Sequence, residues 1–194
     1  MMKVSAILRR FCEIHRRTLA TLAIACFFFV YSPVAHADLS VRSAPQIETS
    51  EGVPHVQIGV EAIPALQSEL LRRVSTLPEI EIRPTVIGTF GAKGFWLLEG
   101  LTLARPEVIF HGREYAHLHT DGSLHASLPP KRAFEAVAAG WAVRHPSAQY
   151  HARLEGFVML YTPRTMEELD VVFSLIVDGY NFGTGSNVRA EDAR

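Results

Sequence analysis

The sequence contains little cysteine, and both of its cysteines lie near the amino terminus. Cys12 and Cys26 fall within a segment that is typical of an export signal. Once that segment is removed, the chain has no disulfide, no thiolate nucleophile and no thiolate metal ligand. Its core alone must then stabilise the fold. This is feasible because a chain of about 150 residues buries around 70% of its unfolded surface.

The sequence also lacks a strong excess of either charge, with 19 Lys and Arg against 20 Asp and Glu. Residues 1–37 contain five of the basic residues and one of the acidic ones, so the remaining chain carries 14 and 19 and a formal charge of −5. Mild acidity and scattered basic residues argue against nucleic acid as a partner. We therefore expect no nucleic-acid partner.

Residues 1–37 are predicted to be a cleaved export signal. A basic start precedes the apolar residues 18–31, Pro33 interrupts the apolar run, and residues 35–37 form the small-x-small pattern Ala-His-Ala. The apolar run is short for a membrane-spanning helix, which needs about 20 residues. We expect export to the periplasm or the extracellular space, with no stable membrane insertion after cleavage. The alternative is a protein anchored to the membrane by an uncleaved N-terminal segment.

The rest of the chain is predicted to be one domain. Residues 38–61 are expected to form an extended lead-in, 62–182 a single α+β domain and 183–194 a flexible tail. Helical spacing of apolar residues predicts helices at 62–77, at 131–139 and after Thr165. Thr165 has the pattern of an N-cap, and Glu168 completes a capping box. A fraying end is expected after Gly179.

Short apolar or alternating runs predict the strands. They are residues 79–83, 95–98, 108–110, 115–119 and 156–161. The glycine-rich residues 88–94 lack the ending of a phosphate-binding loop and are predicted to be a turn between strands. Residues 141–146 are expected to be a loop. Strands in the middle and helices at both ends predict an α+β fold, an antiparallel sheet of about four to six strands packed by two or three helices.

Three histidines lie within nine residues, at His117, His119 and His125. In a strand over 115–119, His117 and His119 point to the same face. The turn at Asp121 and Gly122 then decides the place of His125. A two-residue loop sends His125 to the opposite face, whereas a three-residue loop over 120–122 pairs it with His117. We favour the three-residue loop, which puts the three imidazoles on one patch. The alternative to a functional patch is that the histidines are ordinary polar residues on the solvated face of a hairpin.

Four short motifs occur in series over about residues 88–182. They are Arg113-Glu-x-x-His-x-His, Leu124-His125, Gly140-Trp141-x-x-Arg144-His145-Pro146 and Leu160-Tyr161-x-Pro163-Arg164 followed by Glu167-Glu168. In order and spacing they resemble the luciferase-domain family, which includes fungal luciferase and bacterial relatives. The resemblance implies an oxygenase that adds O2 to a hydroxylated pyrone-like or phenolic molecule, with no metal, flavin or nicotinamide cofactor.

Such chemistry needs a base to form an electron-rich enolate and polar groups to hold it. By resemblance, His117 or His119 would be the base, with His125 as its partner. Arg144 and His145 would hold the substrate's oxygen atoms. The chemistry also needs an apolar, dry pocket.

The remaining predicted site residues are aromatic or acidic. By resemblance, Trp141 and Tyr161 would form aromatic walls of the substrate pocket. Glu114 would either orient a histidine or form an ion pair with Arg113 or Lys131.

Two other classes of protein remain open from the sequence. One is a cupin-like enzyme in which His117, His119 and His125 bind a metal ion. The other is a non-catalytic periplasmic domain that binds a ligand or has a structural role. Three more histidines, His55, His111 and His151, have no local partner in the sequence and receive no role.

Overall fold

Six antiparallel strands form the centre of the fold. A computed structural model describes residues 38–193, so the predicted signal over residues 1–37 lies outside the described residues. The strands are β1 (Ile80–Pro84), β2 (Lys93–Leu97), β3 (Glu114–Leu118), β4 (Leu124–Ser127), β5 (Ala142–Arg144) and β6 (Phe157–Leu160). They form one sheet in the order β1-β2-β3-β4-β6-β5. The predicted α+β fold with an antiparallel sheet is confirmed.

In the described part of the chain, three α-helices accompany the sheet, α1 (Pro64–Val74), α2 (Pro130–Ala138) and α3 (Met166–Thr184). Proline stands at the first position of α1 and α2, where its missing N–H has no helical partner to lose. The last helix contacts β3, β4 and α1. It buries the predicted stripe of Leu169, Val172, Phe173 and Ile176. None of the helices among residues 38–193 is long and apolar enough to cross a lipid bilayer.

The two faces of the sheet differ in composition. Ala116, Leu118, Leu124 and Ala126 belong to the apolar core. Since successive side chains of a strand alternate in direction, the intervening histidines point away from that core. The second face of β3 and β4 is therefore the one that carries the imidazoles.

The start of α3 agrees with the predicted N-cap. The Thr165 hydroxyl accepts the N–H of Glu168 at 3.2 Å. The Glu168 carboxylate accepts the N–H of Arg164 at 2.9 Å, one residue earlier than in the usual capping box. Glu168 also forms a buried ion pair with Arg42 of the lead-in, so the cap ties residues 38–61 to the helix.

Removing this cap is expected to destabilise the protein measurably. The change Thr165→Ala should lower the free energy of unfolding by about 1 kcal/mol, because the N–H of Glu168 loses its acceptor. Urea unfolding followed by circular dichroism measures the loss. The matched control Thr165→Ser keeps the hydroxyl and should stay close to the parent. Equal losses in both variants would contradict the capping role.

The predicted frayed end of α3 was wrong. The helix continues beyond Gly179 to Thr184 and ends at Gly185, which has a left-handed φ of +76°. Buried Tyr180 donates its hydroxyl to the carbonyl of Pro78 at 3.0 Å. The tail beyond the helix is also packed, since the Asn181 side chain bonds the backbone of Val188 in both directions. These tertiary contacts outweigh the local preference of a glycine-rich sequence for disorder.

Two further segments differ from their predicted structures. Residues 108–110 do not form a strand; a 3-10 turn at Pro106–Val108 occupies the start of this segment. The backbone N–H of Ile109 bonds the carbonyl of Pro106, which closes the turn. Within the predicted loop 141–146, Ala142–Arg144 forms edge strand β5 because β6 offers it a free edge. The turn is closed by a local hydrogen bond, whereas the edge strand depends on pairing with a separate segment.

Candidate functional site

The histidine hairpin has the favoured three-residue loop. His117 pairs with His125 across β3 and β4. The N–H of His119 bonds the carbonyl of Ser123 at 2.8 Å, which leaves residues 120–122 as the loop. Gly122 supplies the left-handed φ of +88° that this turn requires. The ring centroids of His117, His119 and His125 lie 4.7–5.1 Å apart, so the predicted patch is confirmed.

A β-bulge brings Glu114 to the same face as these imidazoles. Phe95 pairs with Ala116, but Trp96 pairs with Glu114, so Tyr115 is an extra residue in β3. In a regular strand, residues three apart would point to opposite faces. The extra residue reverses that rule, and a Glu114 carboxylate oxygen lies 3.2 Å from Nδ1 of His117. Of the two predicted roles of Glu114, the structure shows the contact with a histidine.

Two histidines from distant segments complete the cluster. His55 comes from the lead-in, and its Nδ1 lies 3.3 Å from Nε2 of His125. His145 follows β5, and its ring centroid lies 4.6 Å from that of His125. The five histidines His55, His117, His119, His125 and His145 are 2–6% exposed.

The lead-in is held in place by side-chain hydrogen bonds to the domain. The Gln57 amide nitrogen donates to the Thr162 hydroxyl at 2.6 Å, and the Thr162 N–H donates back to the Gln57 amide oxygen at 3.1 Å. These bonds position His55, two residues earlier, in the cluster. Residues 38–61 are therefore more than an extended lead-in. The sequence has no local signal for this role of His55.

A cavity of about 310 Å³ opens onto the histidines. All five imidazoles contribute to its lining. The apolar part of the lining consists of Val53, Pro54, Ile87, Phe90, Phe110 and Phe157. Phe110 and Phe157 stack with their ring centroids 5.2 Å apart. The cavity therefore combines polar nitrogens with flat apolar surfaces.

The loop between β1 and β2 passes directly over His117. A Cβ atom on Gly88 would lie 2.9 Å from Cδ2 of His117, closer than real contacts of this kind. Glycine therefore allows the loop to approach the imidazole. Thr85, in the same loop, donates its hydroxyl to Glu114 at 2.6 Å. The loop thus covers the pair formed by His117 and Glu114.

Burial makes the histidines weak bases. Burial, followed by repulsion from neighbouring imidazoles, lowers the pKa of His119 and of His145 to about 4. The same two causes hold the pKa of His125 well below its ordinary value, and burial lowers the pKa of His55. These four imidazoles are accordingly neutral at pH 7.

Glu114 remains ionised despite its burial. Burial by itself raises the pKa of Glu114, but hydrogen bonds from His117, Thr85 and the backbone N–H of Val86 outweigh it and leave the pKa below its ordinary value. The carboxylate must therefore accept from Nδ1 of His117, which fixes the proton of a neutral imidazole there. Nε2 of His117 then keeps its lone pair.

His119 is oriented through a second acidic residue. Its Nδ1 lies 2.9 Å from the hydroxyl of Ser123, and that hydroxyl donates to the Asp121 carboxylate at 2.7 Å. Since the hydroxyl proton goes to Asp121, Ser123 accepts from Nδ1 of His119. Nε2 of His119 also keeps its lone pair. Asp121, which the sequence marks as a turn residue, therefore also orients a histidine.

His145 has the opposite arrangement. Its Nδ1 accepts the backbone N–H of Ser147 at 3.0 Å, so a neutral His145 carries its proton on Nε2. It is a hydrogen-bond donor at that atom. His117 and His119 thus offer lone pairs, while His145 offers a proton.

Among residues 38–193, two groups of three histidines have nitrogens close enough together to hold a metal ion. In each group, one nitrogen from every residue lies within 4.8 Å of the others. The first group is His117, His119 and His125, and the second is His55, His125 and His145.

Of the five predicted substrate-binding residues, only His145 lines this cavity; Glu114, Trp141, Arg144 and Tyr161 do not. Trp141 donates its indole N–H to the carbonyl of Ser40 at 2.6 Å. The guanidinium of Arg42 lies 6.0 Å from the Trp141 ring centre and 5.7 Å from that of Tyr161. These two aromatic residues therefore pack against the lead-in, and neither has a position in the lining of that cavity. Phe110 and Phe157 have that position instead.

Arg144 lies in a second, more open cavity of about 300 Å³. Glu51 also lines this cavity, while His55 and His145 line both cavities. Alternation along β5 and β6 separates Arg144 from the histidine face. Of Arg144 and His145, only His145 lines the cavity beside the histidine cluster.

The fold and this site define an α+β protein with a histidine-lined, partly apolar cavity. Residues 112–177 match the family model described as the Luciferase domain. A luciferase from Armillaria ostoyae is 29% identical over 157 residues, which cover 72% of this chain and 59% of that protein. The resemblance to the luciferase-domain family that the four motifs predicted is therefore confirmed over these residues. No solved structure gives a significant match.

Proposed function

We propose that this protein is an oxidoreductase that adds O2 to a small, enolisable molecule such as a hydroxylated pyrone or a phenol. The observation that supports the proposal best is the pair formed by Glu114 and His117 beside the cavity. Glu114 holds the proton on Nδ1 of His117, so the unprotonated Nε2 can accept a proton from a bound hydroxyl group. The relative from Armillaria ostoyae is itself named a luciferase, which agrees with O2 chemistry.

The proposed reaction begins with ionisation of the substrate hydroxyl by the histidine cluster. In the metal-free protein, the proton moves to Nε2 of His117, and the Glu114 carboxylate stabilises the resulting imidazolium. His145, which carries a proton on Nε2, donates a hydrogen bond to the enolate oxygen. The electron-rich carbon of the enolate then gives an electron pair to O2, so that one oxygen atom bonds to this carbon and the other becomes the terminal atom of a peroxide anion. No flavin or nicotinamide takes part in this scheme.

The cavity walls favour a small and flat substrate. A volume of about 310 Å³ lies at the lower end of ligand pockets, which span roughly 300–1,000 Å³. The stacked rings of Phe110 and Phe157 offer an apolar surface to an aromatic or pyrone ring. We expect the same rings to shield a bound substrate from water, which would strengthen the electrostatic interactions of the enolate and protect a peroxide.

O2 consumption by the purified protein tests this proposal. An oxygen electrode would follow uptake with a panel of hydroxypyrones and phenols. His117→Ala and Glu114→Gln should each reduce the rate by about 100-fold or more, since they remove the base or the group that orients it. His151→Ala, an exposed histidine outside the cavity, is the matched control and should match the parent.

Two results would contradict the proposal. If His117→Ala consumed O2 as fast as the parent, His117 would not be the base of the reaction. Tight binding of a panel compound without any O2 uptake would favour the alternative of a non-catalytic ligand-binding domain.

A further inference from the structure

The cluster contains more imidazoles than one proton transfer requires. We propose that His117, His119 and His125 bind one divalent transition-metal ion, each through a single ring nitrogen. This inference concerns the cavity of the proposed function and rests on it only for the role of the ion in catalysis.

The spacing of the nitrogens suits a single ion. Nε2 of His117 and Nδ1 of His125 lie 3.1 Å apart. Two nitrogens bound to a tetrahedral metal at about 2.0–2.1 Å are separated by about 3.3 Å. Across the whole group, one ring nitrogen from each of His117, His119 and His125 lies within 4.8 Å of the other two. All three residues come from one hairpin, whose backbone hydrogen bonds hold their relative positions.

Each proposed ligand has a partner that orients it from behind. Metal-binding histidines almost always donate their other ring N–H to a carboxylate, a carbonyl or a similar acceptor. Glu114 accepts from Nδ1 of His117, and Ser123, polarised by Asp121, accepts from Nδ1 of His119. Both residues thereby present Nε2 as a lone-pair donor. Proton transfer by Glu114 and His117 alone would not require the hydrogen bonds that orient His119.

His125 has a partner for its proton as well. In the metal-free protein without substrate, Nδ1 of His125 donates to Nε2 of His117, which carries no proton, and a substrate hydroxyl or a metal ion takes the place of this hydrogen bond. Metal binding at Nδ1 moves the proton to Nε2 of His125, where Nδ1 of His55 lies 3.3 Å away and can accept it. The proposal therefore gives His55 a function as a positioning residue that acts through His125.

The second group of histidines suits a metal less well. In the group of His55, His125 and His145, Nδ1 of His145 already accepts the N–H of Ser147. Its Nε2 then carries the proton, so a neutral His145 has no free lone pair. The geometry assigns the ion to the hairpin group for this reason.

A bound ion would assist the ionisation step of the proposed reaction. Three imidazole ligands suit zinc, iron, copper or nickel, and they leave at least one coordination position for a substrate oxygen. The ion would stabilise the ionised hydroxyl directly as a Lewis acid. His117 would then act as a ligand, and the same enolate would form without it as the base.

Titration of the purified, EDTA-treated protein with Co²⁺ and Zn²⁺ tests the inference. Co²⁺ binding is read from its ligand-field absorption bands and Zn²⁺ binding from calorimetry. The parent should bind one equivalent, and His117→Ala and His119→Ala should lose it. Glu114→Gln and His55→Ala should bind about 10–100-fold more weakly, as expected when an orienting partner is lost. His145→Ala and His151→Ala are the controls and should retain the site.

The outcomes separate the two proposals. Failure of the parent to bind either ion overturns the metal site, and so does loss of binding in His145→Ala with retention in His119→Ala. If circular dichroism shows that His119→Ala is unfolded, His119→Asn, which keeps a polar side chain of similar shape, is measured in its place. Metal binding without O2 uptake supports the site and removes the proposed function. O2 uptake by a protein that binds neither ion supports the proposed function and overturns the site.

Discussion

Acidification from about pH 7.5 to about pH 4.5 is expected to destabilise the metal-free protein sharply. Burial and mutual repulsion lower the pKa of His119 and His145 to about 4, whereas an unfolded histidine titrates near its ordinary value of 6.5. The unfolded chain therefore binds more protons than the folded protein in this interval, so acid favours unfolding. This contribution to stability is complete above about pH 6.5 and is lost as the pH falls toward 4. Glu114, with its lowered pKa, acts in the same direction at still lower pH.

The expected size is large compared with the stability of a domain. Each of the two histidines contributes about 3 kcal/mol when fully titrated. Typical domains have a free energy of unfolding of only about 5–15 kcal/mol. Urea midpoints at several pH values, with EDTA present, measure the effect.

A variant and a control show whether the buried histidines cause this dependence. His119→Asn should flatten the curve between about pH 6.5 and 4 because it removes one titrating group. His151→Ala, which changes an exposed histidine, should leave the curve unchanged. If the parent had the same free energy of unfolding at about pH 7.5 and at about pH 4.5, burial would not hold the histidine cluster neutral.

The substitution Gly156→Ala is expected to be severely destabilising. A Cβ atom at this position would lie 1.9 Å from the carbonyl oxygen of Leu128, a backbone atom that cannot rotate away. The N–H of Leu128 also bonds the carbonyl of Gly156 at 2.9 Å, so separation of the two segments would break a buried hydrogen bond. We expect a loss of more than about 3 kcal/mol in the free energy of unfolding. Thermal or urea unfolding measures it.

Gly100→Ala provides the matched control. Gly100 is exposed, and a Cβ atom there would meet no heavy atom within 4 Å. Its stability should stay within about 0.5 kcal/mol of the parent. If Gly156→Ala were as stable as this control, β4 and β6 would not approach each other as closely as described.

The register of the histidine hairpin was predicted correctly because its determinants are local. The sequence Thr-Asp-Gly supports a three-residue turn with glycine at the left-handed position, and the pairing of His117 with His125 follows from that loop length. The cap at Thr165 and the buried stripe of α3 are local patterns of the same kind. Such features depend on steric and hydrogen-bonding preferences within a few residues.

The features that the sequence did not predict have a different physical origin. Trp141 and Tyr161 were expected by resemblance to line the pocket, but contacts with Arg42, about a hundred residues earlier, decide where they pack. The edge strand β5 forms because β6 is available beside it. Glu114 reaches His117 only through the bulge at Tyr115, which a regular alternation of side chains does not anticipate.

The sequence by itself determined the α+β class, the family resemblance and the shared face of His117, His119 and His125. Each of these depends on short-range pattern: strand alternation, a glycine turn, helical spacing or a motif. Only the tertiary structure decided that His55 and His145 join the cluster and that Phe110 and Phe157 form its apolar side. Burial of all five imidazoles, and hence the lowered pKa of His119 and His145, also depends on contacts between segments far apart in the chain. Desolvation is a property of the packed protein, and no local pattern specifies it.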